Sequence, residues 1–169
     1  MTETEIFASL MPRALPLAMA QPARLEWQEW FNQSAGMSWF GMRCDLNHER
    51  VVKVVLPEAF EHHRGGLGSS AVNGAVLSSM FDAAVGVAAI MQSPMQKQGT
   101  VELSIKLLNG VRHTPVEVYA IALKRSSSGV VFVECQLYSG GKLCAMCTGM
   151  TAVSSSKHSA VMSSNGNLD

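Results

Sequence analysis

Asp82 is the one charged residue between Ala71 and Met91, a stretch reading AVNGAVLSSMFDAAVGVAAIM. An ionised carboxylate is costly to bury among Ala, Val, Met and Ile unless it is paired or borders a water-filled cleft. Placed at such a cleft, it could take a proton from water or attack an electrophile itself. The plainer alternative is a buried acid bonded to backbone or to Ser78, Ser79 or Thr100. Cys144 and Cys147 form a C-x-x-C, the spacing of zinc and redox sites. Their segment, LCAMCTGMTAV, has the look of a strand, in which residues three apart point to opposite faces. It has no second C-x-x-C and no neighbouring His, so these two, with Cys44 and Cys135, are read as buried thiols of a reducing cytoplasm. No metal or organic cofactor is expected. His62 and His63 fall in a Gly-rich loop and are read as loop histidines.

The elements that must position Asp82 follow from composition and pattern. A chain of 169 residues suits one domain with a real core. It is 47% hydrophobic and only 15% charged, so its thinly charged surface favours an oligomer that buries apolar area. Lys+Arg and Asp+Glu balance at 13 each with no basic stripe, which argues against nucleic acid as a partner. The N-terminus carries Glu3 and Glu5 where a secretory signal would be basic, and Pro12 and Pro16 interrupt any apolar helix. The run from Ala71 to Met91 is long enough to span a bilayer. With Asp82, Asn73 and Gly74 inside it, a core helix is the better reading, and no membrane partner is expected.

Residues 1–22, punctuated by prolines, are expected to be a loose arm, residues 23–153 the folded domain, and the Ser-rich 154–169 a disordered tail. Leu25, Trp27, Trp30 and Phe31 predict a short amphipathic helix over 24–33, with the aromatics serving its packing. A strand is expected through MSWFGMRCDL and another in RVVKVVL, closed by Pro57. The long helix is expected from about Asn73 to Met91–Ser93. Four strands follow, from Thr100, Val116, Val130 and Lys142, with hairpin signals at Ser127-Ser128-Gly129 and Gly140-Gly141. An antiparallel meander with one apolar face needs a cover, and the apolar helix supplies it. The fold class is α+β, one long central helix wrapped by a curved antiparallel sheet.

In that order of elements the chain resembles the hot-dog fold, and its local motifs resemble the phenylacetate-degradation (PaaI-like) acyl-CoA thioesterases. That family has a Gly-containing loop, a His-Gly-Gly opening the central helix, an acid nine positions after the His, and a Thr or Ser heading the next strand. Here Asn73-Gly74-Ala75 stands at the His-Gly-Gly, Asp82 lies nine positions after Asn73, and Thr100 opens TVELSIKLL. The charged pair Lys124-Arg125 before a turn, and a last strand ending GMTAV, continue the likeness, which runs from about Gly36 to Val153. Asn stands where the family has His, and the loop Asn of many relatives has no match in Leu67-Gly68-Ser69-Ser70.

The resemblance implies a cytoplasmic acyl-CoA thioesterase whose only coenzyme is the CoA of its substrate. Asp82 would be general base or nucleophile, the Gly74 N–H the oxyanion donor, and Thr100 the group that aims water or carboxylate. Asn73 can donate a hydrogen bond to a carbonyl but cannot titrate, and it is equally a good helix N-cap. Ala75 and Ser70 would line the substrate, and Lys124 and Arg125 would meet the CoA phosphates, although a solvated strand end or a plain strand Thr also explains such residues. Nine helical residues rise about 13.5 Å, so one chain cannot bring Asp82 to its own helix N-terminus. The resemblance implies a homodimer, or a dimer of dimers, with each site shared. A non-catalytic hot-dog protein binding acyl-CoA is the second reading, and a dehydratase a third. Acyl-pocket depth is expected to depend on packing around Met80, Phe81, Met91 and Met95.

Overall fold

The computed structural model describes residues 1–65, 69–94 and 96–153. Six strands, β1 (Arg43–Asp45), β2 (Val52–Leu56), β3 (Gln98–Leu107), β4 (Val116–Arg125), β5 (Val131–Ser139) and β6 (Lys142–Val153), form one sheet in the order β1-β2-β4-β5-β6-β3, antiparallel throughout. Four α-helices accompany it: α1 (Glu3–Leu10), α2 (Gln21–Asn32), α3 (Ala35–Phe40) and the central α4 (Gly74–Gln92). This is the expected hot-dog architecture. Only the expected tail, part of the Gly-rich loop (66–68) and Met95 fall outside the described residues.

The sheet holds α4 through a face set by strand alternation. In β5, Val131, Val133, Cys135 and Leu137 are buried while Phe132 is exposed, the period-2 signature of a one-sided core. In β4, Val116, Val118, Ala120 and Ala122 join the same core, while Tyr119 and Ile121 on its other face are buried as well. From the helix, Met80, Phe81, Ala84, Val85 and Ala88 are fully buried against them. A close approach is made at Gly149 of β6, where an added Cβ would lie 2.7 and 2.8 Å from the two Val85 methyls. Glycine there lets helix and sheet touch backbone to side chain.

The N-terminal segment differs from the loose arm expected of it. Residues 3–10 form α1, opened by a capping box in which Thr2 and Glu5 satisfy each other's backbone donors. Its Ile6 and Leu10, then Ala14, pack on the outer face of the sheet over Val51, Tyr119, Ile121 and Tyr138. Lys53 ties the helix down, 2.7 Å from both Glu3 and Glu117. The prolines terminate a helix here instead of preventing one.

The segment 37–40 is also helical where a strand was expected. Ser34 caps α3 by accepting from the Met37 N–H, and Gly41 ends it at φ +61°, a left-handed geometry that suits glycine. Only Arg43–Asp45 remain as strand. Its outer edge is covered by α2: Asn32 exchanges hydrogen bonds with the Cys44 backbone at 2.7 and 3.0 Å, and Gln28 accepts from Leu46 N–H at 2.6 Å. The opposite edge, β3, pairs with no further strand among the described residues, and Val101, Leu107 and Leu108 are more than half exposed along it.

Candidate active site

The approach to α4 is built by a hydrogen-bonded clamp. Arg64 donates to the carbonyls of Ser70 and Ala59, and Gly65 N–H donates to Ala71 O, closing the loop before the helix. Asn73 N–H then donates to His63 O at 2.7 Å. His63 is 1% exposed, its Nδ1 accepting from Phe60 N–H at 3.1 Å, and burial, with His62 beside it, pulls its pKa down. The ring packs behind the loop beside Gly41, and its buried Nε2 has no hydrogen-bond partner among the described residues.

At the helix entrance Asn73 is the N-cap. Its Oδ1 accepts from Ala75 N–H at 2.8 Å, which leaves its amide NH2 free to donate outward. The Gly74 N–H finds no acceptor among the described residues. Ser70, Asn73 and Ala75 are exposed and Gly74 is half-exposed, so the positive end of a 19-residue helix faces solvent with two donors open.

Asp82 occupies a different setting from the one its neighbours suggest. It is exposed, on the side of α4 that the sheet does not cover, and accepts no hydrogen bond among the described residues. Ser78 and Ser79, offered by the sequence as its partners, donate instead to the carbonyls of Gly74 and Ala75. The carboxylate lies on the wall of a cleft of about 470 Å³, whose other wall is made by Phe31, Met37 and Phe40 and which Leu103 of β3 also lines. Its charge also adds to the burial that pushes the Cys147 thiol up to about 11.

The remaining expected site residues lie elsewhere in the chain. Leu107, at the end of β3, sits 3.9 Å from a Cβ built on Gly74, whereas Thr100 lies near the beginning of that strand and is exposed at the sheet edge. Lys124 and Arg125 end β4 beside the 126–129 turn, and that turn meets the start of β3 through Gln98 and Gly129. One chain thus gathers Ser70, Asn73, Gly74 and Ala75 at the helix N-terminus, sets Asp82 two turns along, and leaves Thr100, Lys124 and Arg125 at the far end. Met80, Phe81 and Met91 are core residues against the sheet and do not line the cleft.

Sequence reasoning missed the cleft's second wall. Phe31, Gly36, Met37 and Phe40 belong to α2 and α3, and Phe31 both stacks on Trp27 (4.7 Å, 17°) and faces the cleft. The signals were present in Ser34 as a cap and Gly41 as a stop. The four cysteines are free and buried, with burial raising the thiols, and among the described residues no group of His, Cys, Asp and Glu could hold a metal. Among the described residues the one helix long and apolar enough to cross a membrane is α4, the core helix of the fold.

Residues 70–145 match the family model described as the thioesterase superfamily. Among solved structures, a conserved protein of Pseudomonas aeruginosa shares 26% identity at a TM-score of 0.64, over 72% of this chain and 94% of that one. A mutant thioesterase of the same organism gives 0.71 at 16% identity, over 81% and 97% of the two chains. The Escherichia coli PaaI protein of the phenylacetic acid degradation operon gives 0.66 at 13%, over 82% and 96%. The last two are likenesses of fold. None of the curated proteins matches the chain.

Proposed function

We propose that this chain, a hot-dog protein carrying the thioesterase superfamily's sequence over residues 70–145, hydrolyses acyl-CoA thioesters. The observation that carries the reading is an exposed, unbonded carboxylate, Asp82, on the wall of an apolar cleft. An acyl group can lie in that cleft with its carbonyl carbon at the acid.

Asp82 then removes a proton from water as the water oxygen attacks the thioester carbon. Negative charge gathers on the carbonyl oxygen, where the Gly74 N–H and the Asn73 amide donate to it at the positive end of a helix. The C–S bond breaks, and the CoA sulfur leaves with the proton. Direct attack by the carboxylate uses the same residues: the C–S bond breaks, CoA leaves as a thiolate that takes a proton from water, and a second water opens the acyl-enzyme anhydride to the free acid and Asp82. Asp82 and Gly74 of one helix are about 12 Å apart along its axis at 1.5 Å per residue. The site is therefore shared, with Asp82 of one protomer beside Asn73-Gly74-Ala75 and Ser70 of its partner across a two-fold axis. Support for a partner comes from β3, an unpaired ten-residue edge with exposed Val101, Leu107 and Leu108. Thr100, on that same edge, would aim the water once two copies meet. Lys124 and Arg125 serve as phosphate contacts for CoA, and four free buried thiols suit a reducing cytoplasm.

A second reading, acyl-CoA binding without turnover, is favoured by one feature: the helix N-terminus carries the amide Asn73 in place of a titrating side chain. Following free thiol with a panel of acyl-CoAs separates the two. Asp82→Asn is expected to lower turnover about 10²- to 10⁴-fold while its melting curve stays put, since the wild-type carboxylate accepts no hydrogen bond among the described residues. Tight binding without turnover by any acyl-CoA would sink the hydrolase reading.

A further inference from the structure

The cleft beside Asp82 is lined unevenly. The α4 side presents small or polar groups, Ser79, Asp82 and Ala83. The facing side is large and apolar: Phe31 from α2 and Met37 and Phe40 from α3. Between them Gly36 also lines the cleft, and a Cβ built on it meets nothing within 4 Å, so the volume above it is empty. Among the described residues of one chain no Lys, Arg or His lines the space, and Asp82 is the one charge on its walls.

Resting on the hydrolase reading, we infer that α3 selects the acyl group, and that the substrates are thioesters of uncharged, apolar acyl groups of medium length. The volume, about 470 Å³, falls within the range of roughly 300–1,000 Å³ typical of small-molecule sites. An acetyl group would leave most of it empty. An acyl group ending in a second carboxylate would bring a like charge into an apolar cleft that offers no cation to meet it. The open position over Gly36 gives a chain room to extend, and the half-exposed Phe40 limits how far it reaches. Methionine at 37 provides a wall that adapts to straight or ring-bearing chains.

The test measures kcat/KM and, by calorimetry, Kd for a straight-chain series from acetyl- to palmitoyl-CoA, with succinyl-CoA as the charged comparison. Wild type is compared with Gly36→Leu and Phe40→Ala. Gly36→Leu fills empty space and replaces a helical glycine by a better helix former, so its fold is expected to be retained. It should lower the octanoyl-to-butyryl ratio of kcat/KM by about tenfold or more. Phe40→Ala should raise the dodecanoyl-to-octanoyl ratio, and wild type should disfavour succinyl-CoA against valeryl-CoA by at least about tenfold. Turnover with a length profile that neither variant moves, or equal use of succinyl- and valeryl-CoA, would overturn the inference and leave hydrolysis standing. Absence of turnover with Kd values that still follow length and shift in Gly36→Leu would overturn hydrolysis and keep α3 as the acyl-selecting wall. Absence of both overturns both.

Discussion

Gly74 tests the oxyanion role more cleanly than most residues could, because its N–H is the group proposed to act and no other interaction depends on it. The first helical position tolerates proline, whose missing N–H would have had no helical acceptor. Asn73 before it is already extended, at φ −62° and ψ 140°, a geometry that a following proline favours. A Cβ at position 74 makes only ordinary contact with Leu107. Gly74→Pro is therefore expected to keep the fold, with Tm within a few degrees of wild type, and to lose about 10²- to 10³-fold in kcat. An unchanged kcat would remove Gly74 from the mechanism. At this scale Asp82 is legible in the sequence as a residue but not in its environment. Apolar neighbours imply burial, yet in α4 they turn inward while the acid faces out, and a string of letters does not say which face the sheet will cover.

At the level of elements, α4 and the last four strands are legible almost to the residue. Each has a clear signal: Asn73 as cap, β-prone apolar runs in β4 and β5, and hairpin glycines at Gly129, Gly140 and Gly141, all of which take positive φ. The failures lie before residue 50, where helices are short and held by caps and tertiary contacts instead of periodicity. The α1 capping box and the Ser34-to-Gly41 bounds of α3 are local chemical signals that prolines and a Trp-Phe pair obscure. That loss mattered, since α3 supplies the cleft wall that decides what can sit beside Asp82. The seam between α4 and β6 offers a direct check on the packing. Gly149→Ala drives a methyl to within 2.8 Å of Val85, and overpacking of this kind is expected to cost about 1–3 kcal/mol. Thermal unfolding should show Tm lowered by several degrees. An unshifted Tm would mean that helix and sheet do not meet as closely as described.

For the whole molecule, the two edges of the sheet are treated differently, and this bears on the proposed dimer. The β1 edge is closed by Asn32 and Gln28 of α2, and the outer face over β2, β4 and β5 is occupied by α1. The β3 edge is left open, beside the cleft and close to the helix N-terminus. A second copy meeting that edge would bring each Asp82 toward the other chain's Asn73 and Gly74, and the shared site rests on this. Mixing two silent variants tests it most directly. Asp82→Asn and Gly74→Pro chains are unfolded together, refolded and assayed for thiol release from the best acyl-CoA, beside wild type and each variant alone. Random pairing makes half the dimers mixed, and each mixed dimer holds one site with both an intact Asp82 and an intact Gly74. The mixture should therefore recover roughly a quarter of wild-type activity, from two proteins that show almost none alone. A mixture as silent as its components, with mixed dimers shown to be present, would contradict a site shared between subunits.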